Sequence, residues 1–193
     1  MILVIDTSSV RSAMGLVDPG RVRVDELQFD SRETPIAMQF PHIANGVRLA
    51  KIAVATGPGS FTGVRSGVSF GLGLAIGLRI PIVPLPTLAI QAARTKEPVL
   101  AVSEAGRGRV YYLPPGGKPA VGEPRELPGD HEVVGWVRPQ TERSMVAAGL
   151  RFRPETRLAR WIEGARKVLE TAHEVPYRNL EIEYMQSFSA PRK

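Results

Sequence analysis

Residues 51–67, KIAVATGPGSFTGVRSG, constrain the fold more than any other segment: an apolar strand enters a Gly-Pro-Gly turn that opens at once into a helix. Gly57 and Gly59 tolerate backbone angles and close approaches closed to other residues, so the turn can hold its N–H groups toward a ligand or a neighbouring backbone. The apolar run Ile80 to Leu85 that follows the helix completes a β-α-β unit. Such a unit demands a parallel strand pair joined by a crossover, which commits the chain to an α/β class.

Within the helix expected at about 62–78, Gly63, Gly67, Gly71 and Ala75 recur at every fourth position and share one face. A helical glycine costs roughly 1 kcal/mol relative to alanine, so this stripe needs compensation from close packing and its dispersion contacts. Val64, Val68, Leu72 and Ile76 form the adjacent apolar ridge. Two packings satisfy the requirement: the chain's own sheet alone, or a subunit interface in addition. On the second, Gly63, Val64, Gly67, Val68, Gly71 and Ala75 are the partner-contact residues.

At 193 residues the chain suits one large domain or two small lobes. With no cysteine there is no disulfide framework, no thiolate metal site and no thiol nucleophile. The start, MILVIDTSSV, has no basic leader, and its apolar run is too short for a bilayer span or a secretory signal. The expectation is a soluble, cytoplasmic protein with no membrane association. A net charge of +6 and a pI near 10.1 favour attraction to polyanions such as RNA. Against this, Arg138, Arg143, Arg151, Arg153, Arg157, Arg160 and Arg166 are interspersed with Glu142, Glu155, Glu163 and Glu170, the pattern of an ion-paired surface.

Along the chain, MILVID reads as a buried strand ending in an acid, Ser12 to Val17 as a second, Asp18-Pro19-Gly20-Arg21 as a tight turn and Val22 to Phe29 as a third strand. Thr34-Pro35 reads as an N-cap followed by Pro at the first helical position, with Pro41 and Gly46 keeping that helix short. Thr87 is expected to cap a helix running to Arg94. Strands are expected at Val99 to Val102 and Val110 to Leu113 around a turn at Gly106 to Gly108, and a short one at Met145 to Leu150. Helical spacing runs from Glu155 to Thr171. No internal repeat is visible.

Asp6-Thr7-Ser8-Ser9 ends the first strand at the mouth of a hairpin. Hydroxyls and N–H groups there can bind phosphate oxygens while the carboxylate orients a hydrated metal ion; ordinary turn capping explains the same residues. GPGSFTG lacks the lysine of a phosphate-cradling P-loop, and Ser60 does not sit in a Gly-x-Ser-x-Gly elbow. His42, His131 and His173 are too far apart in sequence for a zinc pair. Glu104, Arg107 and Tyr111 are read either as ligand contacts or as a surface turn.

IDTS at the end of the first strand, the uninterrupted GPGSFTGVR with its glycine-rich helix, the IPIVPL strand and the short Thr-led helix together resemble the bacterial TsaB (YeaZ) family, over roughly residues 1 to 113. Glu183-Tyr184-Met185-Gln186 is similar to that family's terminal segment. The resemblance implies an α/β, two-lobed actin-like ATPase (ASKHA, ribonuclease H-like) fold with a reduced second lobe, divided into residues 1–96 and 97–193. It implies a non-catalytic scaffold in tRNA threonylcarbamoyladenosine (t6A) biosynthesis, once labelled a glycoprotein endopeptidase. The implied partners are a TsaD-like transferase, a TsaE-like ATPase, a second copy when alone, and tRNA through the complex. No cofactor is tightly bound on this reading; ATP and Mg enter only within the complex, and Asp6, Thr7, Ser8, Gly57, Gly59 and Ser60 are vestigial nucleotide contacts. The chain departs from the family in its short first helix and in Glu104-Ala105-Gly106-Arg107, where Asp-Ala-Arg is common. The alternatives are an independent ATP-binding or hydrolysing enzyme using Asp6, Thr7 and the Gly57 to Gly63 turn, and a stand-alone RNA-binding module. On the scaffold reading, Gly67→Leu abolishes co-purification with the transferase without unfolding the chain.

Overall fold

The computed structural model describes residues 1–18, 24–30 and 32–185. Strands β1 (Ile2–Asp6), β2 (Ser12–Val17) and β3 (Val24–Phe29) form an antiparallel meander. Helix α1 (Ile36–Ala44) then leads to β4 (Lys51–Gly57), which pairs parallel with β1. The glycine turn enters α2 (Phe61–Leu78), and β5 (Ile82–Pro86) pairs parallel with β4, giving the order β3-β2-β1-β4-β5. Every residue of β1 and β2 is buried because helices cover both faces. Leu3, Ile5, Ile52 and Val54 pack with α1 and α2. Ile2, Val4, Ala53 and Ala55 pack on the opposite side.

The second sheet consists of β6 (Leu100–Gly106), β7 (Arg109–Leu113), β8 (Ala120–Gly122) and β9 (Val133–Trp136). Its order is β8-β7-β6-β9, with an antiparallel meander and a parallel fourth strand. This repeats the arrangement of β3-β2-β1-β4. The repeat escapes the sequence because topology depends on apolar patterning and turns rather than on residue identity. Gly135 holds β9 against β6: its φ is +146°, and a Cβ there would lie 2.0 Å from the Val102 carbonyl oxygen.

Helix α3 (Thr87–Ala92) sits between the sheets, and α4 (Pro139–Ala147) packs on the second. Helix α5 (Trp161–Leu169) returns to the first sheet, where Trp161, Ile162 and Ala165 join the core of Ile2, Val4 and Ala13. From there to Glu183 the chain runs along that lobe, and Met185 packs against Leu88, Ala101 and Tyr111 beside the second sheet. Val175 bridges to Ile82, the Glu183 N–H donates to Thr56 O at 2.9 Å, and the Tyr177 hydroxyl lies 2.8 Å from Ile80 O and 3.1 Å from Ala75 O.

Several local expectations are corrected. Residues 145–150 are not a strand: α4 covers 139–147, started by Pro139 and ended before Gly149 at φ +90°. Pro35 and Pro86 themselves occupy the cap positions of α1 and α3, so neither Thr34 nor Thr87 caps; Thr87 Oγ1 is buried with no hydrogen-bond partner among the described residues. The Glu155 to Thr171 spacing resolves into a 3-10 turn, Glu155–Arg157, and α5. Most of the turn expected at Asp18 to Arg21, and Gln186, lie outside the described residues.

Candidate functional site

The Gly-Pro-Gly turn is a joint. Ser60 N–H donates to Ser8 O at 2.7 Å, and Ser103 Oγ of the second sheet donates to Pro58 O at 2.9 Å. A Cβ on Gly59 would lie 2.4 Å from Ser8 O, and Gly57 adopts φ +108° with Glu183 O beside it. Ser60 Oγ accepts the Gly63 N–H as the cap of α2. Thus Gly57, Gly59 and Ser60 bring together the β1–β2 turn, β6 and the C-terminal segment.

Asp6 is only 1% exposed. Its Oδ1 accepts Ser8 N–H at 2.8 Å and Ser8 Oγ–H at 2.6 Å, and its Oδ2 accepts the Trp161 Nε1–H at 3.3 Å. Thr7 Oγ1 donates to Gly63 O at 2.6 Å. Asp6, Thr7 and Ser8 therefore meet one another, α2 and α5, and Trp161 caps the carboxylate. Glu104 occupies the equivalent place in the second sheet, fifth in β6 as Asp6 is fifth in β1. It too is buried, accepting the Arg138 N–H at 3.1 Å and Thr141 Oγ1–H at 2.9 Å at the start of α4, where a carboxylate complements the helix dipole. In both lobes the central acid is committed to its own chain. Among the described residues no group of three His, Asp or Glu is placed to hold a metal ion.

Burial pushes the Asp6 carboxyl above its ordinary range, opposed by the donors of Ser8 and Trp161. An acid whose folded pKa is raised binds more protons folded than unfolded, so its contribution to stability falls as pH rises from the ordinary carboxylate value through the raised one. Asp6→Asn is expected to remove that decline. Urea midpoints measured across this window for both proteins check it; parallel profiles would show that Asp6 is not its source.

The glycine stripe of α2 faces inward, which corrects its assignment as partner contact. A Cβ would lie 2.0 Å from Thr7 O at Gly63, 2.4 Å from Thr7 Oγ1 at Gly67 and 2.3 Å from Val54 Cγ1 at Gly71. Val64, Gly67, Val68, Gly71 and Ala75 are all buried on the chain's own sheet, and the missing side chains let the helix approach β1 and β4. The opposite face carries Thr62, Ser66, Ser69, Gly73, Ile76 and Gly77, all exposed, with open space over Gly73 and Gly77. Ile76 and Leu78 are each 51% exposed, and Met38 of neighbouring α1 is 63% exposed. Phe40 and Phe70 pack edge to face at 5.8 Å to join α1 to α2. On the other flank Arg65 stacks on Phe61 and donates to Tyr184 Oη at 2.8 Å. By length and composition α2 could cross a membrane, yet its inner face is fixed to the sheet. The sequence signal for the outer face is the near absence of charge: Arg65 is the helix's one charged residue, whereas a solvent-facing stripe is ordinarily polar.

A family model for TsaD, tRNA N6-adenosine threonylcarbamoyltransferase, matches residues 44–123. The tRNA threonylcarbamoyladenosine biosynthesis protein TsaB of Escherichia coli is 35% identical over 123 residues, 58% of this chain and 53% of that protein. The TsaB proteins of Haemophilus influenzae (30% over 122 residues) and Bacillus subtilis (34% over 120) match a similar share. The chain spans about half the length of these curated relatives. The solved YeaZ of Pseudomonas aeruginosa superposes with a TM-score of 0.58 at 26% identity, over 68% of this chain and 70% of that one. The chain is similar to TsaB proteins over about half of their length. A second structure, of a protein described as similar to the peptidase YeaZ from Pseudomonas aeruginosa, has the same fold: TM-score 0.69 over 96% of this chain and 99% of that one, at 22% identity. The two mixed sheets are thus the two lobes of the actin-like fold, with Trp161 over Asp6 and α2 packed on the first sheet.

Proposed function

We propose that the chain acts in tRNA threonylcarbamoyladenosine biosynthesis as a non-catalytic subunit that docks a TsaD-like transferase, and itself when that partner is absent, through the outward face of α2 and adjoining α1. The observation that carries the docking mode is the uncharged outer stripe Ser66, Ser69, Gly73, Ile76, exposed beside Met38 and Leu78. Small residues let a partner helix approach closely, and the surrounding apolar side chains supply the interface core. The engagement of Asp6 and Glu104 within the chain favours a scaffold over an ATP-hydrolysing enzyme. On this reading a TsaE-like ATPase and tRNA are met in the assembled complex, ATP and Mg are used only there, and the complex is cytoplasmic.

Ser69→Arg places a charge on the outer stripe, away from the sheet. It is expected to abolish co-purification with the transferase while leaving the melting temperature of the isolated chain unchanged. An intact complex in this variant would move docking elsewhere.

A further inference from the structure

The β6–β7 hairpin tip, the 3-10 turn Pro124–Glu126 and α4 meet around a cavity of about 510 Å³ lined by Gly108, Glu123, Pro124, Arg125, Ser144 and Ala147. These elements carry five arginines. Arg107 and Arg109 flank Gly108, Arg125 lines the cavity, Arg138 opens α4, and Arg143 lies one turn before Ala147 on that helix. Arg107, Arg125, Arg138 and Arg143 are exposed. Among the described residues none of the five is ion-paired, whereas Arg94, Arg153 and Arg166 are paired with Glu155, with Glu97 and Glu132, and with Glu163 and Glu170.

The nearby acids are largely engaged locally. Glu104 holds α4, and Glu123 and Glu126 each accept the other's backbone N–H in a capping box. Glu142 lines a different cavity with Arg11 and Trp136. The corner holds guanidinium groups that make no ion pair among the described residues, over a lining that includes Glu123 and has no large apolar or aromatic side chain. A protein interface of this size would want an apolar anchor. Guanidinium forks match phosphate oxygens.

We infer that this corner binds the phosphodiester backbone of RNA. The choice of RNA over another phosphodiester polymer rests on the tRNA-modification reading; the site itself does not require the transferase. Binding of a labelled anticodon stem-loop to the isolated chain, followed by fluorescence anisotropy at several salt concentrations, tests it. With roughly four phosphates engaged, log K should fall with log salt at a slope of about −3. Arg125→Gln with Arg143→Gln should weaken binding about tenfold and shrink the slope by about two. Arg166→Gln with Arg178→Gln, an equal charge change elsewhere, should leave both within about twofold. Arg125 and Arg143 are exposed, so melting of that double variant is expected to be unchanged; Arg107→Gln is a further variant should the pair lower it.

Equal weakening by the two pairs, absence of salt-dependent binding, or displacement of the RNA by an acidic peptide at matched charge would overturn the site. Loss of RNA binding specificity with transferase co-purification intact removes this inference and leaves the docking reading standing. Loss of co-purification in Ser69→Arg does not touch it.

Discussion

Trp161→Ala is expected to lower the unfolding free energy by about 4 kcal/mol, within the range for truncating a fully buried aromatic side chain. Trp161 is fully buried in the first-lobe core, and its indole N–H is also the donor on Asp6 Oδ2. Truncation leaves a cavity and withdraws one partner from a buried carboxylate. Trp161→Phe separates the effects, keeping most of the volume while deleting the donor, with an expected cost of about 1–2 kcal/mol. Denaturant midpoints at constant m-value read both. A loss below about 1 kcal/mol for the alanine variant would show that α5 docks without this anchor.

Gly63→Ala is expected to destabilise by about 2 kcal/mol, although alanine is the better helix former. The helix gains about 1 kcal/mol from the change. Against it stands a Cβ 2.0 Å from Thr7 O, a backbone atom just beyond the end of β1 that cannot rotate away as a side chain can, and overpacking of this kind reaches about 3 kcal/mol. Gly73→Ala makes the same chemical change with open space above it, so it should gain about 1 kcal/mol. Opposite signs in thermal or urea melts are the expected result. Equal signs would show that the helix does not sit on the sheet in this register. The same geometry revises the expectation for Gly67→Leu, which is now loss of folding rather than selective loss of a partner.

The β-α-β unit was legible because the Gly-Pro-Gly turn and the apolar runs on either side admit few alternatives. The need for a close neighbour along Gly63, Gly67 and Gly71 was legible too. Which neighbour was not, because α2 lacks charge on its outer side as well, so the usual contrast that tells inside from outside is missing. Asp6 could be picked out as buried at a strand end, but its partner Trp161 stands 155 residues away and no local pattern connects them. The strand expected at 145–150 followed apolar residues at its ends; Pro139, a helix-start signal, was the better guide. Arg143 read as part of an ion-paired surface until the fold set α4 beside the 3-10 turn Pro124–Glu126, whose Arg125 lines the cavity between them.

Asp6 and Glu104 sit at matching points of the two sheets, each turned back on its own chain. A carboxylate so placed is a fastener: its lone pairs accept donors from the helix that each one holds in place. The two halves are riveted at equivalent stations, α5 to the end of β1 and α4 near the end of β6.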